Sequence, residues 1–256
     1  MSAVHAEWTK LRTLSGTWWQ LLAVIALTAA VGGAAAATAT CPAAGCGQDQ
    51  AKLALSGVNL SQTVVVILAV LAISGEYSSG MITTTLTAMP RRLSVLFAKA
   101  IVVAGLALAA GAVGVLASVL VGRLLLPGHG FTPGHGYSPL SLTSGADLRA
   151  AAGSVLYLAL IALLALGVAT AVRDSAVAIG VALGLVYLFP VIASAADPSW
   201  SRHLEQIGPM TAGLSIQATT GLRSLPLTPW QGLGVLALWA AGALLAGGLA
   251  LRLRDA

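Results

Sequence analysis

Charge is the scarcest property of this 256-residue chain: Asp, Glu, Lys and Arg make up 8% of it, against 57% hydrophobic residues. A soluble domain carries about 25% charged residues. So little polar surface excludes a water-soluble globule and a disordered chain. The net charge of +5 is scattered singly along the sequence, not gathered into the patch that a nucleic-acid partner requires, so none is expected. Histidine is scarce too, and His5, His129, His135 and His203 all lie outside the long apolar runs. A serine protease working within the membrane needs a histidine inside them. The only glutamates are Glu7, Glu76 and Glu205, so no His-Glu-x-x-His metalloprotease helix exists. None of the three lysines, Lys10, Lys52 and Lys99, follows a glycine, so there is no P-loop. No catalytic, cofactor-binding or metal-binding constellation is expected, and any energy for work across a membrane must come from another chain. A lipid-modifying enzyme lacks a catalytic cluster for the same reasons. No charge falls in the middle of an apolar run, which argues against proton-coupled transport.

What the sequence has is apolar length. Six charge-free runs follow Arg12, Lys52, Lys99, Arg149, Asp174 and Arg223, each 22 to 36 residues long. About 20 apolar residues cross a bilayer core, so each run holds one span. A seventh run, between Arg123 and Asp147, contains Pro127, Pro133 and Pro139 among several glycines and must be a loop. The fold expected is all-α: one six-span membrane unit over residues 1–256. Placing both termini inside puts eight Lys and Arg on the cytoplasmic side and five outside, the direction of the positive-inside rule. The chain is thus expected in the cell membrane with both termini cytoplasmic.

The segments between spans carry the patterning. Residues 1–17 read as an interfacial elbow helix, with Val4, Trp8, Leu11 and Leu14 on one face and Arg12 opposite. Glu7 intrudes on the apolar arc and calls for a partner at a neighbouring helix end. The first outer loop holds Cys41 and Cys46, for which an oxidising exterior favours a disulfide over free thiols. Their spacing from His129 and His135 does not support a zinc site. Gly180 and Gly184 form a Gly-x-x-x-Gly pair suited to helix packing in span five. Trp18, Trp19 and Trp230 stand at span ends as interface anchors. Trp239, mid-span, is expected to pack against lipid or helices more than to touch a substrate. The last outer loop, 197–229, is long and half polar, and Pro209 starts a short helix in it that re-enters the membrane or lies at its surface.

The most informative segment is the cytoplasmic one at 76–92. Glu76 stands at the membrane exit, Ser78 and Ser79 cap a new helix, and Ile82, Leu86 and Met89 share one face. Pro90 stops that helix, and Arg91 and Arg92 sit near its C-terminal end. A plain connector needs about 2–8 residues, so this patterned segment implies a docking partner. The Glu7-Trp8-Thr9-Lys10-Leu11-Arg12 elbow, the first two spans, and the run Glu76-Tyr77-Ser78-Ser79-Gly80-Met81-Ile82 through Pro90-Arg91-Arg92 resemble, in that order, the permease subunits of type-2 ATP-binding-cassette exporters. The likeness is to those of high-GC Gram-positive bacteria in particular. It implies a second permease copy, the same or a sister chain, around a shared path, and a separate cytoplasmic ATPase on each half. It makes 76–92 the coupling helix, with Glu76, Gly80, Ile82, Leu86, Met89, Pro90, Arg91 and Arg92 at the ATPase. It makes the elbow, with Glu7, Trp8, Lys10 and Arg12, a second contact. It also implies re-entrant helices between spans five and six, here the Pro209 to Gly221 region. Membrane lipid is the remaining partner. The alternative is a non-transporting scaffold or sensor that recruits a cytoplasmic protein through the same helix.

Overall fold

The computed structural model describes residues 3–13, 15–41, 46–78 and 92–253, and the regular elements among them are all helical. In chain order the helices are α1 (Ala3–Thr13), α2 (Ser15–Thr38), α3 (Gln50–Ala54), α4 (Val58–Ser78) and α5 (Arg92–Leu125). They continue with α6 (Gly145–Val172), α7 (Ser175–Ala195), α8 (Pro198–Ile207), α9 (Pro209–Leu214) and α10 (Pro229–Leu253). Six of them, α2, α4, α5, α6, α7 and α10, are long and apolar enough to cross a membrane. The proline- and glycine-rich run after Arg123 is a loop broken by two short 3-10 turns, Leu126–His129 and Pro133–His135.

Helix α6 is the axis of the bundle. In its most apolar stretch 67% of residues are buried within the protomer, against 22% for α7, and α4, α5, α7 and α10 all pack on it. Without water or a hydrophobic drive between helices, close packing needs small residues at the crossings. Here α6 and α10 approach so closely that a Cβ on Gly167 would lie 2.4 Å from the Ala243 carbonyl carbon. A Cβ on Gly57 would lie 2.1 Å from the Thr28 carbonyl oxygen, where α2 and α4 meet. The Ser118 hydroxyl, on α5, lies 3.1 Å from the Thr28 carbonyl and 2.5 Å from that of Ala54. Around a Cβ on Gly180 or Gly184, by contrast, no atom of the described residues beyond the helix's own nearby backbone comes within 4 Å. Both glycines lie on an exposed face of α7 with Val177, Val181 and Leu188.

Helices α6 and α7 form a tight hairpin, with only Arg173 and Asp174 between them. Arg173 closes α6 in the left-handed region at φ 66°, and the Asp174 carboxylate caps α7 by accepting from Val177 N at 2.8 Å. At the opposite end the loops fold onto one another. Cys41 and Cys46 are joined in a disulfide, Cys46 Sγ lies 3.1 Å from the Tyr137 hydroxyl, and Cys41 N donates to His129 O at 2.9 Å. His129 and His135 turn Nδ1 to the carbonyls of Leu125 and Gly130 at 3.0 and 2.7 Å. The segment from Pro209 sinks into this end. Its residues Pro209, Ala212, Gly213, Ser215, Ile216 and Gln217 are buried, and it reaches Tyr157, about 18 Å along α6 from Gly145. The preceding α8 was not foreseen in the sequence; Pro198 at its first turn was the available signal.

Asp49 ties this end together. Its carboxylate accepts from Ala51 N and Lys52 N at the start of α3, and from Thr219 N at 2.6 Å, Thr219 Oγ1 at 2.7 Å and Thr220 N at 3.0 Å. Burial pushes its pKa up, but the donors from Thr219, Thr220 and Lys52 outweigh burial and hold it below the ordinary carboxylate value of 3.8. A depressed native pKa adds stability above the unfolded value and loses it as pH falls through the native one. Stability in detergent should therefore be insensitive to this group down to about pH 4 and decline below it, and Asp49→Asn should flatten that acid limb in a thermal-melt series. In the same assay Gly167→Ala should cost about 1–3 kcal/mol through overpacking, while Gly180→Ala should leave the melt of the isolated protomer unchanged.

Candidate coupling site

Helix α1 lies beside the start of α5 and positions the one ion pair among the described residues. Lys99 Nζ meets Glu7 Oε2 at 2.7 Å, with the side chains 1% and 5% exposed. Lys99 also donates to the Ala72 carbonyl of α4 at 3.2 Å. One ammonium group thus joins the elbow, the helix that enters the 76–92 segment and the helix that leaves it.

The sequence reading took Lys99 as the start of a charge-free span, and the structure places it inside a longer helix. Helix α5 begins at Arg92 and has 34 residues, about 51 Å, well over the roughly 30 Å of a hydrocarbon core. Lys99 lies two turns inside it and is buried. An isolated charge there is costly, and the Glu7 carboxylate offsets it. The partner that Glu7 demanded is therefore a side chain within a neighbouring helix, not a helix end. A charge on an apolar arc signals that a partner exists, but the partner's position in the chain is not visible from the arc.

The rest of the elbow is more exposed. Trp8 is 44% exposed and Lys10 is half-buried. Arg12, Glu76 and Arg92 are described by their helical backbone alone, while Gly80, Ile82, Leu86, Met89, Pro90 and Arg91 lie outside the described residues. Among the described residues no group of three His, Cys, Asp or Glu stands together as a metal site.

On the same side Arg173 Nη2 donates to the Ala250 carbonyl of α10 at 3.3 Å, which ties the α6–α7 hairpin to the last turn of the final span. Further into the bundle is a polar network the sequence did not reveal. The Tyr157 hydroxyl donates to Gln62 Oε1, and Gln62 Nε2 donates to Asn59 O at 3.0 Å and contacts Met210 Sδ at 3.4 Å. The Tyr187 hydroxyl donates to Asn59 O at 2.7 Å and lies 2.8 Å from Thr63 Oγ1. Gln62 stands in the polar start of span two with Asn59, Ser61 and Thr63, and Tyr157 in an apolar run; their pairing needs the fold. Trp239 packs as expected: Nε1 donates to Ile207 O at 2.8 Å, and the ring meets Phe189 edge-on with centroids 6.0 Å apart.

Removing one member of a buried pair leaves the other uncompensated, at about 3–5 kcal/mol. Glu7→Gln and Lys99→Met should each lower the melting temperature of the purified protein strongly. The double variant should lose clearly less than the sum of the two, a coupling that a double-mutant cycle reads directly.

No curated protein shows a significant sequence match to the chain. Residues 3–191, however, match the sequence model of the ABC-2 family transporter proteins, a stretch that runs from the elbow through the first five membrane helices and takes in both members of the buried ion pair. The chain belongs to that family: it is a multi-pass transmembrane permease subunit of the ABC-2 transporters.

Proposed function

We propose that this permease is the membrane half of an ATP-driven exporter, working as a dimer and powered by a separate cytoplasmic ATPase. The observation that carries the reading is the buried Glu7–Lys99–Ala72 junction. A force applied to the 76–92 segment enters α4 and α5 together, and the junction passes it to the elbow at once. A purely structural connector has no need of a buried charge at that point, where a hydrophobic pair would serve as well. In this reading the elbow and α5 move as one body when the ATPase closes on ATP, and ATP hydrolysis belongs to the partner because the chain has no P-loop.

The second permease copy is assigned to the exposed face of α7, where Gly180 and Gly184 leave room for a close helix approach. Both termini and the 76–92 segment face the cytoplasm of the cell membrane. The opposite, exterior side then holds the Cys41–Cys46 disulfide, in keeping with an oxidising compartment.

The docking role of 76–92 is tested by replacing Ile82 and Leu86 with Asp. The tagged permease, purified from native membranes, should lose its co-eluting ATPase and the attached ATP hydrolysis while its amount in the membrane is unchanged. Retention of the ATPase by the variant rules out this docking site. An ATPase-free oligomer from the unaltered chain supports the scaffold reading instead.

A further inference from the structure

At the disulfide end of the bundle, α3, the start of α4, α8, α9 and the loop at 225–227 line a half-open cavity of about 340 Å³, within the range of small-molecule sites. Its walls carry one charge of each sign. Lys52, which is exposed, and Glu205, half-buried, both line it, and neither side chain has an ion pair or a hydrogen bond to any described residue. Opposite charges that share a cavity without pairing are complementary to a molecule bearing both.

The remaining polar atoms are weighted toward acceptors. Gln217 is 3% exposed, and its amide nitrogen donates to Leu55 O at 3.4 Å and Ser154 Oγ at 3.1 Å. That leaves its carbonyl oxygen, on the cavity wall, without a donor among the described residues. Asn59 donates from Nδ2 to Ser56 O, and its side-chain oxygen likewise receives nothing from them. Neither oxygen is a buried orphan, so both stay free to accept from a ligand that brings N–H groups. Thr211 and Ser215 also line it, their hydroxyls donating to the carbonyls of Glu205 and Ala212, and Leu214, Leu225 and Leu227 give it an apolar side.

We propose that this cavity binds a small zwitterion with a primary ammonium and an anionic group on an apolar body. The three N–H donors of the ammonium face Glu205, Gln217 and Asn59, and the anion faces Lys52. Binding of this kind is independent of whether the permease transports what it binds. Two sources carry the chemistry: a short apolar peptide with free termini, and the headgroup of an ethanolamine phospholipid.

Isothermal titration of the detergent-purified chain with trileucine and with dihexanoyl phosphatidylethanolamine tests the proposal. N-acetyl-trileucine and dihexanoyl phosphatidylcholine, which lack the ammonium N–H donors, serve as controls. At least one primary-ammonium ligand should bind about tenfold or more tightly than its control, and Glu205→Gln and Lys52→Gln should each weaken it by a similar factor. Binding of trileucine alone identifies the peptide source, and of the phosphatidylethanolamine alone the lipid source. The proposal is overturned if neither ligand binds more tightly than its control, or if both variants leave affinity unchanged.

Discussion

A buried ammonium group can persist only where its charge is answered, and in this protein the Lys99–Glu7 contact answers it at the junction of three helices. That requirement fixes the elbow against α5: were α1 to lift away, Lys99 would be left charged in an apolar setting. The Ala72 carbonyl completes the arrangement by holding α4 to the same point. The geometry on either side of residues 79–91 is therefore set by one polar contact and not by apolar packing alone. Because the Lys99–Glu7 contact is also a hydrogen bond, which requires donor and acceptor to align, it helps set which turn of α1 meets which turn of α5. Its cost in net stability relative to a hydrophobic pair is the usual one for buried charges.

The remainder of the bundle follows a different rule. Helix α6 lies at the centre, and its partners approach wherever glycine lets two backbones touch, as at Gly167 on Ala243. The end bearing the disulfide is closed by hydrogen bonds, with Asp49 serving both α3 and the Thr219–Thr220 turn. One end is thus sealed by a network of neutral donors on a carboxylate, the other by a salt bridge beneath the elbow.

Much of this was legible in the sequence, and the limits have physical causes. Charge-free length identified all six spans, because a membrane-crossing helix must be long and apolar whatever it packs on. Proline density removed the seventh run for an equally local reason. The helix at Pro209 was readable from its first-turn proline. Pairings across long sequence separation were not readable. Glu7 announced a missing partner, yet nothing near residue 7 pointed to residue 99, and Gln62 could not be joined to Tyr157 without the fold. Gly180 and Gly184 matched a packing motif, whereas the tight contacts within the protomer fall at isolated glycines such as Gly57 and Gly167 that belong to no such pattern. Small residues show that close approach is allowed, not where it happens.

That the elbow and α5 form one moving body can be measured by electron–electron spin resonance distances. Labels would be placed at Thr9 and Phe97, both exposed, in the permease–ATPase complex; the native cysteines are paired with each other and do not compete for label. A second pair, Thr9 and Val181, reports motion across the bundle. With ATP added, the Thr9–Phe97 distance distribution should stay as it was while the Thr9–Val181 distribution shifts. A shift between Thr9 and Phe97 would show that the elbow slides on α5, and that the buried ion pair does not hold the two together during the cycle.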